Sequence, residues 1–284
     1  MILKWWVVTE NLDKKTKDYI ISRSDFFVDK YIAILLLSDD VASRAYVNLK
    51  QKKGLQLGIR VDIVERQDET NVKNILEMIE KFNIDSNCLG IIVQLPLNEK
   101  LMPHLPKILA KIDVKKDIDG LWGALLGYSQ IGYVNFLPAT PRAVVEILKY
   151  YKIDTIWKKI TIVGQSNLVG KPLAMELMKQ GATIFSFNIY SDQDVMKKCC
   201  RRSDIIVSAT GKLKMINKEY LHSKWGQTLI DVGWGKIDGK PSGDMDYNDV
   251  KDDVFAITPV PGGVGPVTVS CIFANLVDML EMFR

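Results

Sequence analysis

Between residues 31 and 95, short apolar runs alternate with longer helical patterns. YIAILLL (31–37), RVDIVE (60–65) and CLGIIVQL (88–95) are separated by DVASRAYVNLKQKKGLQLG (40–58) and ETNVKNILEMIEKF (69–82). This alternation predicts βαβ units. The runs are apolar at consecutive positions, as strands are when helices cover both faces of a parallel sheet. The stretch DIDGLWGALLGYSQIGYVNFLPATP (117–141) breaks the rhythm. Rich in Gly and Pro, it reads as irregular chain at a domain junction. Beyond it, Thr140-Pro141 reads as the N-cap and first residue of a helix over RAVVEILKYY (142–151). Strand runs KITIVG (159–164), TIFSFN (183–188), DIIVSA (204–209) and QTLIDVG (227–233) follow, with helical patterns between them. That order describes a dinucleotide-type sheet. GPVTVSCIFANLVDMLEMF (265–283) is an amphipathic helix after a Gly-Pro turn, of the kind that packs back across a first domain.

A chain of 284 residues, 47% hydrophobic and 25% charged, is long enough for two ordinary globular domains. Its 38 basic and 34 acidic residues are too evenly balanced to point to a nucleic-acid partner, and KQKK (50–53) and KKCCRR (197–202) read as solvated helix faces. Cys88, Cys199, Cys200 and Cys271 show no C-x-x-C spacing and read as thiols in a reducing compartment. In MILKWWVVTE the apolar run is broken by Lys4 and ended by Thr9, too short for a signal peptide or membrane span. A cytoplasmic location is expected, with no membrane partner. His104 and His222 have no carboxylate or second histidine nearby in sequence, so no metal site is expected and a general base should be Lys, Asp or Glu.

Four places carry candidate chemistry. Tyr46 and Lys50 lie four apart in a helical pattern and share a face, as a surface pair also would. Gln94 ends a buried strand run, where parallel sheets expose functional side chains, although it could equally cap the following turn. Asp117 and Asp119 alternate, so in extended chain both face away from Ile118. Two acids make a poor metal site, whereas one aspartate suits the N–C–N edge of an aminopyrimidine. In TPVPGGVGPVT (258–268) the glycines at 262, 263 and 265 permit a ligand to approach bare backbone, which a rigid linker would not need. VGQSNLVGKP (163–172) sits between a strand and a helix, as a phosphate loop should. It lacks the second and third glycines of G-x-G-x-x-G. It also has one residue too many for a Walker loop, with Pro172 in place of the magnesium-binding hydroxyl.

Taken in order, AYVNLK (45–50), IIVQLPL (91–97), KDIDG (116–120), PATPRA (138–143), VGQSNLVGKP (163–172) and TPVPGGVGPVT (258–268) resemble the bifunctional methylenetetrahydrofolate dehydrogenase/methenyltetrahydrofolate cyclohydrolase family. The resemblance implies an α/β protein of two domains separated by a cleft. Residues 1–138, completed by the C-terminal helix 265–284, would form the folate domain. Residues 139–264 would form a Rossmann-type NAD(P)-binding domain with a parallel sheet. It implies a homodimer acting on tetrahydrofolate derivatives in one-carbon metabolism, with NADP as cofactor. Lys50 is then the central catalytic group, Gln94 orients it, Tyr46 stacks on the folate and Asp119 grips the pterin edge, with Pro261, Gly262 and Gly263 also at the substrate. Cofactor contacts fall on Gly164, Gln165, Ser166, Val169, Gly170, Pro172, Ile189, Thr210, Gly211 and Gly233.

The chain departs from the family pattern where the adenosine ribose should lie. Gln165 replaces a common arginine, and Asn188-Ile189-Tyr190 replaces a His-Ser-Arg-like run. Both family features help hold a 2′-phosphate, so NAD stays open as an alternative to NADP, yet no acidic residue ends that strand to select NAD. Asp192 reads as a helix cap. Leu125 stands where a folate-site asparagine is usual, and Trp234-Gly235 replaces Ile-Asn. Alternatives are a cyclohydrolase without dehydrogenase activity and a dinucleotide sensor without turnover; a sensor would have no use for Lys50 and Gln94.

Overall fold

The structure, a computed structural model, describes residues 1–65, 71–222 and 226–283. Glu69 and Thr70 at the head of the second helical pattern, and Arg284, lie outside the described residues. The element order is α1 (Trp5–Ile21), β1 (Tyr31–Leu36), α2 (Val41–Leu57), β2 (Arg60–Glu65), α3 (Val72–Ile84), β3 (Cys88–Gln94), α4 (Gly123–Gln130), α5 (Ala139–Tyr150), β4 (Lys159–Val163), α6 (Gly170–Lys179), β5 (Thr183–Phe187), α7 (Gln193–Arg202), β6 (Ile205–Ser208), β7 (Thr228–Asp231), β8 (Gly235–Ile237), β9 (Lys240–Ser242), β10 (Ala256–Ile257) and α8 (Val264–Met282), with single helical turns between some of them. These fall into two units, Asn11–Ala139 with Val269–Arg284, and Met1–Glu10 with Thr140–Thr268.

The first unit is built on a parallel sheet of order β2-β1-β3. All six residues of β1 are buried, as the unbroken apolar run requires. Leu36 at its end stands opposite both Glu65 and Gln94. Helix α2 starts at Asp40, whose carboxylate accepts from the Ser43 amide at 2.6 Å, and stops at Gly58 in the left-handed region (φ +89°). Its buried residues are Ser43, Val47, Lys50, Gly54 and Leu57, a single helical stripe with one charged member. Gly54 lets the helix lie close to β2, because a Cβ there would run into Val61. Ile75 and Ile79 of α3 join β1 and β3 in the core.

Two helices differ from expectation. Residues 123–130, read as irregular, form helix α4; its three small residues Gly123, Ala124 and Gly127 hide the helical pattern. Helix α5 begins at Ala139, so Thr140 and Pro141 lie inside its first turn and Thr140 is not the N-cap. Proline is tolerated there because first-turn amides have no intrahelical partner. Helix α8 is long and apolar enough to cross a membrane by length and composition, but most of it is buried inside the protein. Its fully buried Asn275 donates to the carbonyls of Ile118 (2.9 Å) and Leu137 (3.2 Å), marking it as a core helix.

The second unit carries a five-stranded parallel sheet of order β10-β7-β6-β4-β5, with a separate β8-β9 antiparallel ribbon. Residues 1–10, expected with the first domain, lie here instead. Ile2 bridges Ile257 in parallel and the Leu3 amide donates to the Ile257 carbonyl at 2.8 Å, which extends the sheet past the two-residue strand β10. In strand order the sheet runs outward in both directions from the β4/β6 boundary. That is a topological switch point, where ligands bind beyond the carboxyl ends of strands in doubly wound sheets.

Candidate active site

In the first unit the stripe of α2 delivers Lys50 to the end of β3. The amine donates to Gln94 Oε1 at 2.9 Å, and Lys50 is only 6% exposed. Gln94 Nε2 donates to the Leu95 carbonyl at 2.8 Å, which fixes the amide so that its oxygen faces Lys50. Ser43, two turns before Lys50 on the stripe, donates to the same carbonyl at 3.3 Å. Burial pushes the Lys50 amine below the ordinary lysine range, while the negative charge of Asp119 pulls it back up. Burial likewise raises Asp119, and the positive charge of Lys50 lowers it. Tyr46, one turn before Lys50, is half-buried and its phenol is raised by desolvation.

Asp119 is held from both sides. The expectation that Asp117 and Asp119 lie in extended chain is corrected: residues 117–120 form a turn, with the Gly120 amide donating to the Asp117 carbonyl at 3.1 Å. Asp117 therefore points inward, 1% exposed, and its carboxylate accepts from the amides of Gly120 (3.1 Å) and Trp122 (2.6 Å). Burial raises its pKa to about 6. The Asp119 carbonyl accepts from the Ala139 amide at 3.3 Å, and Asn275 holds the preceding carbonyl. One aspartate thus builds the turn and the other is presented by it.

In the second unit, residues 164–169 lead from β4 into α6 at the switch point. Gly164 has φ +121°, and a Cβ there would strike the Ala209 carbonyl beyond β6. A Cβ at Gly170 would strike the Gly164 carbonyl, so the close approach that Gly170 permits is of the loop to its own helix. Ser166 Oγ accepts from the Val169 amide at 3.1 Å, leaving its own hydrogen available to an anion at the helix start. Pro172, with no N–H, is buried in the first turn.

Gln165 donates to Ser186 Oγ at 3.1 Å and accepts from Asn188 Nδ2 at 2.8 Å. Asn188 also accepts from the Tyr190 amide, and Ile189 and Tyr190 are 78% and 89% exposed. Across the switch point, Thr210 Oγ1 donates to Asp244 at 2.9 Å and accepts from the Lys212 amide at 3.0 Å, so its hydroxyl is spent within the protein. Gly211 (φ +70°) borders open space where a Cβ would point. Gly233 follows β7, with its amide on Asp231 at 2.9 Å. This rim of glycines and hydroxyls fits a dinucleotide. At Gln165 and Asn188 it offers neutral amides and no cation. Pro261, Gly262 and Gly263 also belong to this unit: the Val260–Pro261 peptide is cis, and Gly262 has φ +95°.

The family model for the tetrahydrofolate dehydrogenase/cyclohydrolase catalytic domain matches residues 7–119, and that for the NAD(P)-binding domain of the same enzymes matches residues 138–284. The chain belongs to the tetrahydrofolate dehydrogenase/cyclohydrolase family. It is 37% identical over 244 residues to the bifunctional protein FolD of Macrococcus caseolyticus, covering 86% of this chain and 84% of that one. Among solved structures it is similar to the bifunctional FolD methylenetetrahydrofolate dehydrogenase/cyclohydrolase from Campylobacter jejuni, with 31% identity, a TM-score of 0.90, and 100% and 99% of the two chains covered. It is also similar to the Trypanosoma brucei methylenetetrahydrofolate dehydrogenase-cyclohydrolase complexed with NADP and an inhibitor, with 27% identity, a TM-score of 0.90, and 99% and 97% covered.

Of the residues this family resemblance singled out in the catalytic domain, Lys50 and Gln94 meet directly and Asp119 is coupled to Lys50 by charge. In the NAD(P)-binding domain, Gly164, Ser166 and Gly170 lie on one side of the switch point, and Thr210 and Gly211 on the other. Three supporting residues were not anticipated: Asp117 as a turn-builder, Asn275, and Asp244 beneath Thr210. Asn275 was detectable as a lone amide in an apolar run. Asp244 was not, since its partners lie about 35 residues away in sequence.

Proposed function

We propose that this protein oxidises 5,10-methylenetetrahydrofolate to 5,10-methenyltetrahydrofolate with NADP and hydrolyses the product to 10-formyltetrahydrofolate, as a cytoplasmic homodimer. The observation that carries the reading is the buried Lys50 amine, lowered in basicity and held by the Gln94 carbonyl beside Asp119. The NADP site at Gly164–Pro172 supplies, when filled, a nicotinamide ring that accepts a hydride from the one-carbon bridge. Gly164, Val169, Gly170 and Pro172 shape the loop around the diphosphate, and Ser166 donates to it. Gln165 and Ile189 border the adenosine ribose, with Thr210, Gly211 and Gly233 lining the opposite rim.

The methenyl product is a cation spread over two nitrogens. Water adds to its carbon and gives up one proton, and the bond from that carbon to N5 breaks as the remaining hydroxyl proton passes to N5, leaving a formyl group on N10. Lys50 is the acceptor of the water proton. A cationic substrate beside a desolvated amine disfavours the ammonium form and so favours the neutral amine that can accept a proton. Gln94 aims the amine. Asp119 accepts from the N–C–N edge of the pterin, and Tyr46 stacks on the ring. Pro261, Gly262 and Gly263 offer bare backbone to the substrate.

The test uses purified protein with methylenetetrahydrofolate and either NADP or NAD, following nicotinamide reduction together with methenyl formation and decay. Reduction followed by decay is the expected result. Decay of supplied methenyl substrate without reduction would leave a hydrolase alone, and silence in both assays would contradict the proposal. Sedimentation at micromolar concentration tests the dimer.

A further inference from the structure

Two buried carboxylates in the NAD(P)-binding domain take no part in the chemistry above. Asp231 closes β7 and is 3% exposed; Asp244 follows the β8-β9 ribbon and is fully buried. Asp244 Oδ2 accepts from Ser208 Oγ (3.1 Å), the Thr210 amide (2.6 Å), Thr210 Oγ1 (2.9 Å) and the Gly211 amide (3.3 Å). Its other oxygen has no hydrogen-bond partner and lies against Gly233, where any Cβ would strike it. Asp231 Oδ1 in turn accepts from the amides of Gly233 (2.9 Å) and Asp244 (3.0 Å), and its Oδ2 accepts from Met245 (2.9 Å). Among the described residues neither carboxylate has an ion-pair partner.

A buried charge without a cation is costly, and apolar packing generally serves stability better. What this arrangement supplies is geometry. Asp244 holds the Thr210 and Gly211 amides after β6, Asp231 holds the Gly233 amide after β7, and the Val232 amide donates to the Ser208 carbonyl at 2.8 Å. The bare Asp244 oxygen explains why position 233 accepts only glycine.

We infer that Asp244 is a positioning residue for dinucleotide binding: its carboxylate clamps the loop after β6 against the loop after β7 and so sets one rim of the site. The inference rests on the NADP reading of that rim. Asp244 reaches the cofactor through Thr210, Gly211 and Gly233 and touches none of the reacting atoms.

The experiment compares the parent with Asp244→Ala, Asp244→Asn and Ser208→Ala in two assays. The first is the Kd for NADP by calorimetry. The second is hydrolysis of supplied methenyltetrahydrofolate with no dinucleotide present. Loss of four hydrogen bonds to a charged acceptor in Asp244→Ala should raise Kd about tenfold or more. Asp244→Asn keeps a weaker acceptor at Oδ2 and should recover part of that loss, and Ser208→Ala, which removes one donor, should raise Kd about twofold. Hydrolysis should stay within about twofold throughout, because Lys50, Gln94 and Asp119 lie in the other unit. Should Asp244→Ala fail to fold, the Asn and Ser208 variants decide the matter. Unchanged Kd in the folded variants overturns the inference, as does a loss of hydrolysis in step with affinity. A parent chain that binds no NADP yet hydrolyses methenyltetrahydrofolate overturns the NADP reading, and the inference with it.

Discussion

Lys50 occupies a position that an apolar residue would ordinarily fill, on the same stripe as Val47, Gly54 and Leu57. What sets its proton affinity is a contest between burial, which lowers it, and Asp119, which raises it. Removing the negative charge leaves burial unopposed. Asp119→Asn should therefore move the rising limb of the kcat–pH profile for methenyl hydrolysis to lower pH, while KM for the folate rises. A limb that stays in place or moves to higher pH would remove Asp119 as a partner of the amine. From the residues alone the pairing of Lys50 with Gln94 was legible only as two separate hints, a helical face and a strand end; the contact itself came from the family resemblance. Forty-four residues separate them, and only the parallel pairing of β1 with β3, with Leu36 beside Gln94, brings them together.

At the scale of elements, the loop between β4 and α6 is defined by steric exclusion. Gly170 faces the Gly164 carbonyl so closely that an added methyl group must force the loop open. Gly170→Ala should cost about 1–3 kcal/mol of stability in this unit by overpacking. It should also weaken NADP binding, with methenyl hydrolysis measured without dinucleotide left near the parent rate. Urea unfolding and calorimetry test this together, and a variant with parent-like stability and affinity would contradict it. Seven of the eight strands of the two sheets were legible as mainly apolar runs bounded by turns, and the two-residue strand β10 was not. Helix α1 was not, because it opens on Trp and Val and then turns highly charged. Helix α4 was hidden by its glycines. The boundary of α5 slipped by two residues at the Thr140-Pro141 signal, and cap signals locate a helix end only within a residue or two. Asp192 behaved as read, accepting from the amides of Asp194 and Val195.

For the molecule as a whole, buried acids set the pH dependence of stability. Burial raises Asp231 to about 7 and Asp117 to about 6. Each therefore holds a proton in the native state over a range where the unfolded chain has lost it. The stabilisation is complete below about pH 4, near the unfolded carboxyl value, and is lost as pH rises through these native values. Each group contributes at most about 1.4 kcal/mol per pH unit within its window. The thermal midpoint should fall between pH 5 and pH 8, and Asp231→Asn should flatten the upper part of that slope whatever its absolute stability. A midpoint that rises over this range would contradict the assignment of both acids. The two-domain α/β plan was legible from the alternation of patterns, because helix-covered parallel sheets leave that signature. The placement of residues 1–3 beside β10 was not, since the edge strand they extend is only two residues long.

The central claim is that a neutral, buried Lys50 takes the proton from water in the hydrolytic half-reaction. Its most direct test is the turnover of supplied methenyltetrahydrofolate by Lys50→Met, which keeps the length and burial of the side chain but has no proton acceptor of comparable strength. General-base catalysis contributes about 10²–10⁴-fold, so kcat should fall by at least about a hundredfold while NADP affinity is retained. Turnover within a few-fold of the parent would contradict the account.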